Sequence, residues 1–259
     1  MNIRASASLC FIAISAAGQL AATDNPFVGK WKLDPSKSEF SGPTMKIEKT
    51  GKKYRFSAGG DSYTFETNGK EQPSLYGRVV SWKQVDPNTW ERTTKMRGNV
   101  LNESTLTTSA DAKSLTETTK GTRPDGEAFE STTVYDRVGE GSGPLGTWKS
   151  KSVKMSAPAS FDIGENGTDG IAFNIPAMKA QCLLKFDGKD YPAAGPTVPE
   201  GLTLAATKAG DRAFTLTQKI KGKPLFKSTY EVSTDGKTLT TTGSPVAVNE
   251  PTKAVYDRE

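Results

Sequence analysis

Apolar and polar residues alternate along much of the chain. In Tyr54-Arg55-Phe56, Tyr63-Thr64-Phe65 and Phe214-Thr215-Leu216 every second residue is apolar, which places these side chains on one face of a pleated strand. The intervening positions are mostly Thr, Ser and Lys. No segment of a dozen residues has the sustained apolar spacing of an amphipathic helix. The pattern therefore predicts an almost entirely β protein.

Short turn sequences separate the alternating segments. Asn68-Gly69, Asp187-Gly188 and Asp235-Gly236 are the dipeptides that accept positive φ angles in tight hairpins. Because such turns leave little room for a crossover, consecutive strands are expected to pair with each other in an antiparallel sheet.

The chain repeats itself. Phe27–Trp31 returns as Pro144–Trp148, with the two tryptophans 117 positions apart, and Val134–Arg137 returns as Val255–Arg258. Between these motifs, Ser104-Thr105 aligns with Ser228-Thr229 at an offset of 124, and Trp90 aligns with Phe214 at the same offset. A repeat of this length indicates two domains of one kind. We place a signal peptide at 1–22, the first domain at 23–138, a turn-rich linker at 139–143 and the second domain at 144–259.

Each repeat is predicted to close into a barrel. A unit of about 110 residues with eight to ten short strands must stack two sheets or curl one sheet on itself to avoid a wet apolar face and an unpaired edge. The fold class expected is therefore all-β, with two tandem antiparallel up-and-down barrels. If the first and last strands of each repeat pair, Trp31 lies near Arg137 and Trp148 lies near Arg258. The residues predicted to close the barrels are Gly29, Trp31, Tyr135, Arg137, Gly146, Trp148, Tyr256 and Arg258.

The Gly-x-Trp openings and the late arginines resemble those of the lipocalin-like, or calycin, barrels. The Asp187–Pro192 and Ser233–Thr240 segments and the Val-Tyr-Asp-Arg endings are more specifically similar to exported bacterial lipocalin-like proteins of uncharacterised function. The resemblance spans both repeats. It implies a barrel fold, but the chain lacks the disulfide and the helix that animal lipocalins usually carry, so their ligands and receptors are not implied.

The N-terminal residues predict export. A basic start, an apolar stretch at Leu9–Ile14 and small residues up to Ala22 are typical of a secretory signal peptide, cleaved near residues 18–23. The protein is thus expected to be secreted or periplasmic, with no membrane span. After cleavage Cys182 is the sole cysteine, so no internal disulfide is expected, and its apolar surroundings favour a buried core residue over a reactive thiol.

The composition excludes several kinds of chemistry. The chain has no histidine, which removes the commonest general base and metal ligand and any Ser-His-Asp or Cys-His arrangement. We therefore predict no catalytic residues, no metal and no cofactor, although paired carboxylates leave a carboxylate enzyme as a minor alternative. The formal net charge of +5 is spread along the chain without a basic patch, so no nucleic-acid partner is expected.

The interior of a small barrel is the remaining candidate site, since eight strands enclose either a dry core or one small ligand. The main hypothesis is a non-enzymatic protein that binds a small apolar or amphipathic molecule in one or both barrels. An envelope structural or protein-interaction module, including a protease-inhibitor-like barrel with filled interiors, is the alternative. An outer-membrane barrel is disfavoured because the outward positions are Thr and Lys. The candidate ligand-binding residues are Tyr54, Phe56, Tyr63, Phe65, Trp82, Phe173, Ile175 and Phe214.

Overall fold

A computed structural model describes residues 25–40, 43–156 and 159–259, which form strands with two short 3-10 helices at Leu75–Gly77 and Pro176–Met178. The predicted signal peptide at 1–22 lies outside the described residues. The strands of the first half are β1 (Gly29–Leu33), β2 (Thr44–Thr50), β3 (Lys53–Ala58), β4 (Asp61–Phe65), β5 (Asn68–Pro73), β6 (Arg78–Gln84), β7 (Thr89–Met96), β8 (Asn99–Thr108), β9 (Ser114–Thr122) and β10 (Ala128–Val138). Those of the second half are β11 (Gly146–Met155), β12 (Ser160–Glu165), β13 (Gly170–Ile175), β14 (Ala180–Lys185), β15 (Tyr191–Pro192), β16 (Leu202–Gly210), β17 (Ala213–Ile220), β18 (Lys223–Val232), β19 (Thr238–Pro245) and β20 (Thr252–Arg258).

The strands form two antiparallel sheets of ten, each curled into a nearly closed barrel. This confirms the predicted fold class of two tandem barrels. The first barrel has the order β4-β3-β2-β11-β10-β9-β8-β7-β6-β5, and the second has the order β14-β13-β12-β1-β20-β19-β18-β17-β16-β15. Neighbours in space are neighbours in sequence, as the short turns predicted, with an exception that places β11 beside β2 in the first sheet and β1 between β12 and β20 in the second.

The exception is an exchange of the two opening strands. β1 pairs with β12 and β20 of the second barrel, whereas β11 pairs with β2 and β10 of the first. Each barrel therefore takes its Gly-x-Trp strand from the other repeat. The expected pairing of Trp31 with Arg137 and of Trp148 with Arg258 is wrong, because Trp31 lies opposite Arg258 and Trp148 opposite Arg137.

The turn between β10 and β11 explains the exchange. Residues 139–143, which the sequence suggests as a linker between domains, lie in a hairpin that joins two paired strands of the first barrel. Closing so short a loop costs much less chain entropy than bringing β1 back across about a hundred residues. Once β11 occupies the place beside β10, β1 pairs with the free edges of β12 and β20. The chain passes from one barrel to the other between β1 and β2 and again between β11 and β12.

Both barrels are closed by the same contact between an arginine and a tryptophan, which we call the latch. The Arg137 guanidinium carbon lies 4.0 Å from the centre of the Trp148 ring, and that of Arg258 lies 4.1 Å from the Trp31 ring. Each guanidinium also donates to three backbone carbonyls. A Cβ on Gly29 would lie 2.5 Å from Nη1 of Arg258, so the latch requires glycine there. The predicted closing residues thus act together, with partners exchanged.

The remaining gap in each barrel is bridged differently. In the second barrel, Gln181 of β14 and Ala194 exchange two backbone hydrogen bonds of 2.9 Å. In the first barrel the Gln72 side chain spans the gap: its Oε1 accepts from the Glu66 N–H at 2.8 Å and its Nε2 donates to the Glu66 carbonyl at 2.9 Å. The gap is therefore bridged by hydrogen bonds of a side-chain amide in the first barrel and by backbone hydrogen bonds in the second.

None of the helices in the described part of the chain has the length and apolar character that a membrane-spanning helix requires.

Candidate functional site

The first barrel contains a cavity of about 1010 Å³. It occupies one end of the barrel interior, and loops of the second barrel contribute to its wall. Its lining residues are Phe56, Tyr63, Ser74, Leu75, Arg78, Val80, Arg92, Thr94, Met96, Asn99, Val100, Leu101, Asn102, Thr122, Arg123, Pro124, Phe129, Met178, Lys179, Pro196 and Thr197.

Strand alternation decides which side chains reach the cavity. Along β6 the inward positions are Arg78, Val80 and Trp82; the first two line the cavity, and Trp82 is fully buried in the core. On β7 the inward series runs from Met96 and Thr94 at the cavity through Arg92 to buried Trp90. The barrel therefore has an aromatic core at one end and a partly polar cavity at the other.

A buried ion pair separates these two ends. Nη2 of Arg92 donates to Oε1 of Glu117 at 2.6 Å, and the two side chains are only 16% and 11% exposed. The Tyr135 hydroxyl donates to the other Glu117 oxygen at 3.1 Å, and Nη2 of Arg92 also donates to the Ser104 hydroxyl at 3.2 Å. Because both Glu117 oxygens have donors, the carboxylate is well satisfied despite its burial.

The Arg92 guanidinium keeps its positive charge. Burial opposes the charge on Arg92, but the Glu117 carboxylate and neighbouring tyrosines more than offset it, so the pKa of Arg92 is raised above its ordinary value. Burial, and then the charge of Glu117 and its hydrogen bond, raise the pKa of the Tyr135 phenol. Arg92 therefore stays cationic and Tyr135 stays a hydrogen-bond donor at neutral pH.

Aromatic rings surround the Arg92 guanidinium. Its central carbon lies 5.2 Å from the Trp82 ring centre and 5.6 Å from that of Phe56, within the range of a cation–π contact. Trp82 donates its indole N–H to the Tyr63 hydroxyl at 3.3 Å. Burial raises the pKa of Tyr63, and the charge on Arg92 opposes this rise. The cavity floor is thus a rigid arrangement of three rings and one guanidinium.

Three polar side chains in the cavity wall have buried atoms without hydrogen-bond partners among the described residues. These atoms are Nε of Arg78, Nε of Arg92 and Oδ1 of Asn102. Burial lowers the pKa of Arg78 from the ordinary arginine value, and the nearby Tyr76 opposes that shift. Since native proteins pair most buried polar groups, these atoms mark a place where a ligand could supply the partner.

The charges that line the cavity are all of one sign. Arg78, Arg92, Arg123 and Lys179 contribute basic side chains, and its lining includes neither Asp nor Glu. Two of these cations have carboxylate partners just outside the lining: Arg92 pairs with Glu117, and Arg123 pairs with Glu127 at 2.9 Å. The cavity is therefore electropositive.

Loops of the second barrel form a roof, which we define as residues 176–179 and 195–198. Met178, Lys179, Pro196 and Thr197 of this roof line the cavity. Arg97, in the turn between β7 and β8, donates to the carbonyls of Gly195, Pro196 and Val198 at 3.0–3.5 Å. The backbone N–H of Asp125 donates to the Ala177 carbonyl at 3.2 Å. These bonds hold the roof against the loops of the first barrel.

The second barrel is filled by its own side chains. Its buried cluster in the described part of the chain consists of Phe27, Trp31, Phe161, Ile163, Ile171, Phe173, Cys182, Leu184, Leu204, Ala206, Phe214, Leu216, Tyr230, Val232 and Leu239. The first barrel's buried cluster is smaller, with Met45, Ile47, Phe65, Val80, Trp82, Trp90, Leu106, Leu115 and Trp148.

The structure divides the predicted ligand-binding residues into three groups. Phe56 and Tyr63 line the cavity of the first barrel. Phe65 and Trp82 lie in the core beneath it, with Tyr54 packed against that core. Phe173 and Phe214 belong to the filled core of the second barrel, and Ile175 packs against it. The sequence reasoning did not identify the polar residues Arg78, Arg92, Asn102 and Glu117.

Other reactive groups lie away from the cavity. Cys182 is 2% exposed in the second core, and burial raises the pKa of its thiol to about 11, so it is a poor nucleophile. In the described ranges, no group of three or more Cys, Asp or Glu side chains is arranged to hold a metal ion.

Comparison of the chain with protein-family models, with curated proteins and with solved structures gives no match.

Proposed function

We propose that the protein is a non-enzymatic binding protein whose first barrel holds one small amphipathic molecule. The observation that carries this proposal is the cavity of about 1010 Å³, which is at the upper end of the usual range for small-molecule sites. Its wall combines apolar groups such as Phe56, Val80 and Met96 with a few polar groups, a composition typical of ligand pockets. The aromatic floor favours an apolar body in the deeper part.

The second barrel has a supporting role in this proposal. Its interior has a larger cluster of buried side chains than the first barrel, which supports placing the ligand in the first barrel. Its roof residues complete the cavity wall, and Arg97 ties them to the first barrel. We therefore propose that each chain binds one ligand. In this proposal the second barrel is a structural module.

The proposal includes export and a relationship to lipocalin-like barrels. The basic and apolar start at residues 1–22 supports secretion or a periplasmic location. The two Gly-x-Trp strands, each covered by an arginine at the end of a barrel, support the relationship. The lack of histidine in the sequence supports a function without acid–base catalysis at neutral pH.

Binding of a neutral probe tests the proposed function. Isothermal titration of the purified full chain with phenylhexanol is expected to give saturable binding of one molecule per chain. Thr94→Trp places a large ring inside the cavity and is expected to weaken this binding at least about tenfold. Quenching of tryptophan fluorescence provides a second readout, because Trp82 lies directly beneath the cavity.

Thr93→Trp is the matched control. Thr93 is the adjacent residue on β7 and points to the opposite face of the sheet, so the same substitution leaves the cavity open. Its affinity should stay within about twofold of the wild type. Absence of saturable binding by the wild type, or equal losses in the two variants, would overturn the proposal.

A further inference from the structure

Arg78 is a strand residue of the cavity wall whose guanidinium has no carboxylate partner among the described residues. The other arginines of the wall have carboxylate partners, at 2.6 Å for Arg92 and 2.9 Å for Arg123. Among the described residues Arg78 forms no ion pair, and its buried Nε has no hydrogen-bond acceptor. Lys179 of the roof likewise has no carboxylate within ion-pair distance in the described part of the chain.

The barrel fold itself does not require an arginine at this position. Arg78 lies opposite Met96 in the β6–β7 ladder, and Leu202 lies opposite Ile220 at the equivalent place in the second barrel. The equivalent position of the second barrel therefore accepts a leucine. A partly buried guanidinium without a counter-charge is unfavourable for folding, so its presence beside a cavity points to a partner that arrives with the ligand.

We propose that the ligand of the first barrel is an amphipathic anion whose carboxylate, or an equivalent oxyanion, binds the Arg78 guanidinium. The planar guanidinium presents parallel N–H donors that match the oxygens of such a group. The apolar body then lies against Met96, beside Arg78, and against Val80 and the ring of Phe56 deeper in the same cavity. Lys179 adds a second positive charge from the roof, which strengthens the preference for an anion. This inference rests on the proposed function of the first barrel.

A probe series with one apolar body and different head groups tests the inference. Phenylhexanoate, phenylhexyl phosphate, phenylhexanol and phenylhexylamine are titrated into the full chain by calorimetry. The carboxylate or the phosphate is expected to bind at least about tenfold more tightly than the alcohol, and the amine more weakly than the alcohol. The stronger of the two anions identifies the head group.

Arg78→Leu, which reproduces the residue of the second barrel, is expected to reduce the affinity for the anion to about that for the alcohol. Arg78→Lys keeps the charge but loses the paired donors, so it should retain part of the preference. Arg55→Gln is the matched control, because Arg55 is an exposed arginine on the outer face of the same barrel. Urea unfolding of each variant verifies that it is folded.

Three results would overturn the inference. Equal binding of anion and alcohol by the wild type would contradict the preference for an anionic head group but would leave the proposed function intact. A preference for the anion that survives in Arg78→Leu removes Arg78 as its binding group. Failure of every probe, the alcohol included, overturns the proposed function and this inference with it.

Discussion

The two barrels have the same frame and different interiors. Each closes through a tryptophan strand beside an arginine strand, with ring-to-guanidinium distances of 4.0 and 4.1 Å. The interior of one is a continuous apolar core, whereas the other has a cavity and a buried ion pair. Closure therefore depends on the ends of the barrel and on the backbone ladders, which leaves the interior free to diverge.

The difference between the interiors is concentrated at a few equivalent ladder positions. The alignment follows from the strand pairings, in which Trp82 opposes Arg92 in the first barrel and Ala206 opposes Leu216 in the second. On this alignment, four polar residues of the first barrel have mostly apolar counterparts. The pairs are Arg78 with Leu202, Arg92 with Leu216, Asn102 with Phe226, and Glu117 with Thr241. The cavity is thus associated with charged and amide side chains at positions where the second barrel has mostly apolar ones.

The largest expected effect comes from replacing the tryptophans of the exchanged strands, because each replacement should destabilise a different barrel. Trp31→Ala removes a fully buried ring and its latch contact and should cost about 3–5 kcal/mol of unfolding free energy. Because Trp31 lies in the second barrel, amide hydrogen exchange should increase in β12 and β20. Trp148→Ala should instead increase exchange in β2 and β10.

These two variants control for each other, since both delete the same side chain from the same motif. Increased exchange in β10 on replacing Trp31 would contradict the strand exchange. Equal loss of protection across both barrels in both variants would show that the barrels unfold as one unit. Hydrogen exchange would then not distinguish the stabilities of the two barrels.

The second largest loss of stability is expected on breaking the Arg92–Glu117 ion pair of the first barrel. Arg92→Leu installs the residue of the second barrel but leaves the Glu117 carboxylate buried without its cation. Tyr135 still donates to that carboxylate, so we expect a loss of about 2–4 kcal/mol in urea unfolding, somewhat less than for a fully orphaned charge.

Adding Glu117→Thr to Arg92→Leu completes the pair found in the second barrel. The double variant is expected to recover to within about 1 kcal/mol of the wild type, because replacing both members of a buried ion pair is often neutral or stabilising. If the single variant is as stable as the double one, burying the Glu117 carboxylate without Arg92 has no measurable cost. The ion pair would then not be what distinguishes the stability of the first interior.

The general architecture follows from local sequence patterns, but the strand exchange does not. Alternating residues and Asn-Gly or Asp-Gly turns specify strands and their antiparallel order, and the repeat specifies two barrels. The openings Gly29-Lys30-Trp31 and Gly146-Thr147-Trp148 are nearly interchangeable, so neither one encodes which arginine it meets. The deciding factor is the short connection after β10, a loop-closure effect that motif matching alone does not weigh.

The sequence pattern leads to only some of the residues that line the cavity. Aromatic alternation correctly points inward, and it leads to Phe56 and Tyr63. Arginine and glutamate are ordinarily assigned to the solvent face, so Arg92 and Glu117 do not look like interior residues. The repeat alignment nonetheless indicates that Arg92 faces inward. Trp90 aligns with Phe214, and two residues further along the same face Arg92 aligns with Leu216.

At alkaline pH both barrels should lose stability through their buried tyrosines. Burial raises the pKa of Tyr230 in the second barrel and of Tyr63 in the first, so the folded state favours the neutral phenols. Their contribution is complete below the unfolded tyrosine pKa of about 10 and falls at higher pH, by up to about 1.4 kcal/mol per pH unit for each group. Tyr230→Phe should therefore lose less stability than the wild type between pH 8 and pH 11, measured by urea unfolding. An unchanged pH dependence would contradict the assignment.

The smallest difference is expected at the latches, where the barrels are most alike. Arg137→Met and Arg258→Met should cost similar amounts, because each removes three hydrogen bonds to backbone carbonyls and a ring contact of about 0.5–2 kcal/mol. Arg137 is partly buried and Arg258 is exposed, so the first loss should exceed the second by a few tenths of a kcal/mol. Chemical denaturation monitored by tryptophan fluorescence measures both. A larger loss for Arg258→Met would mean that the ends of the two barrels, like their interiors, have diverged.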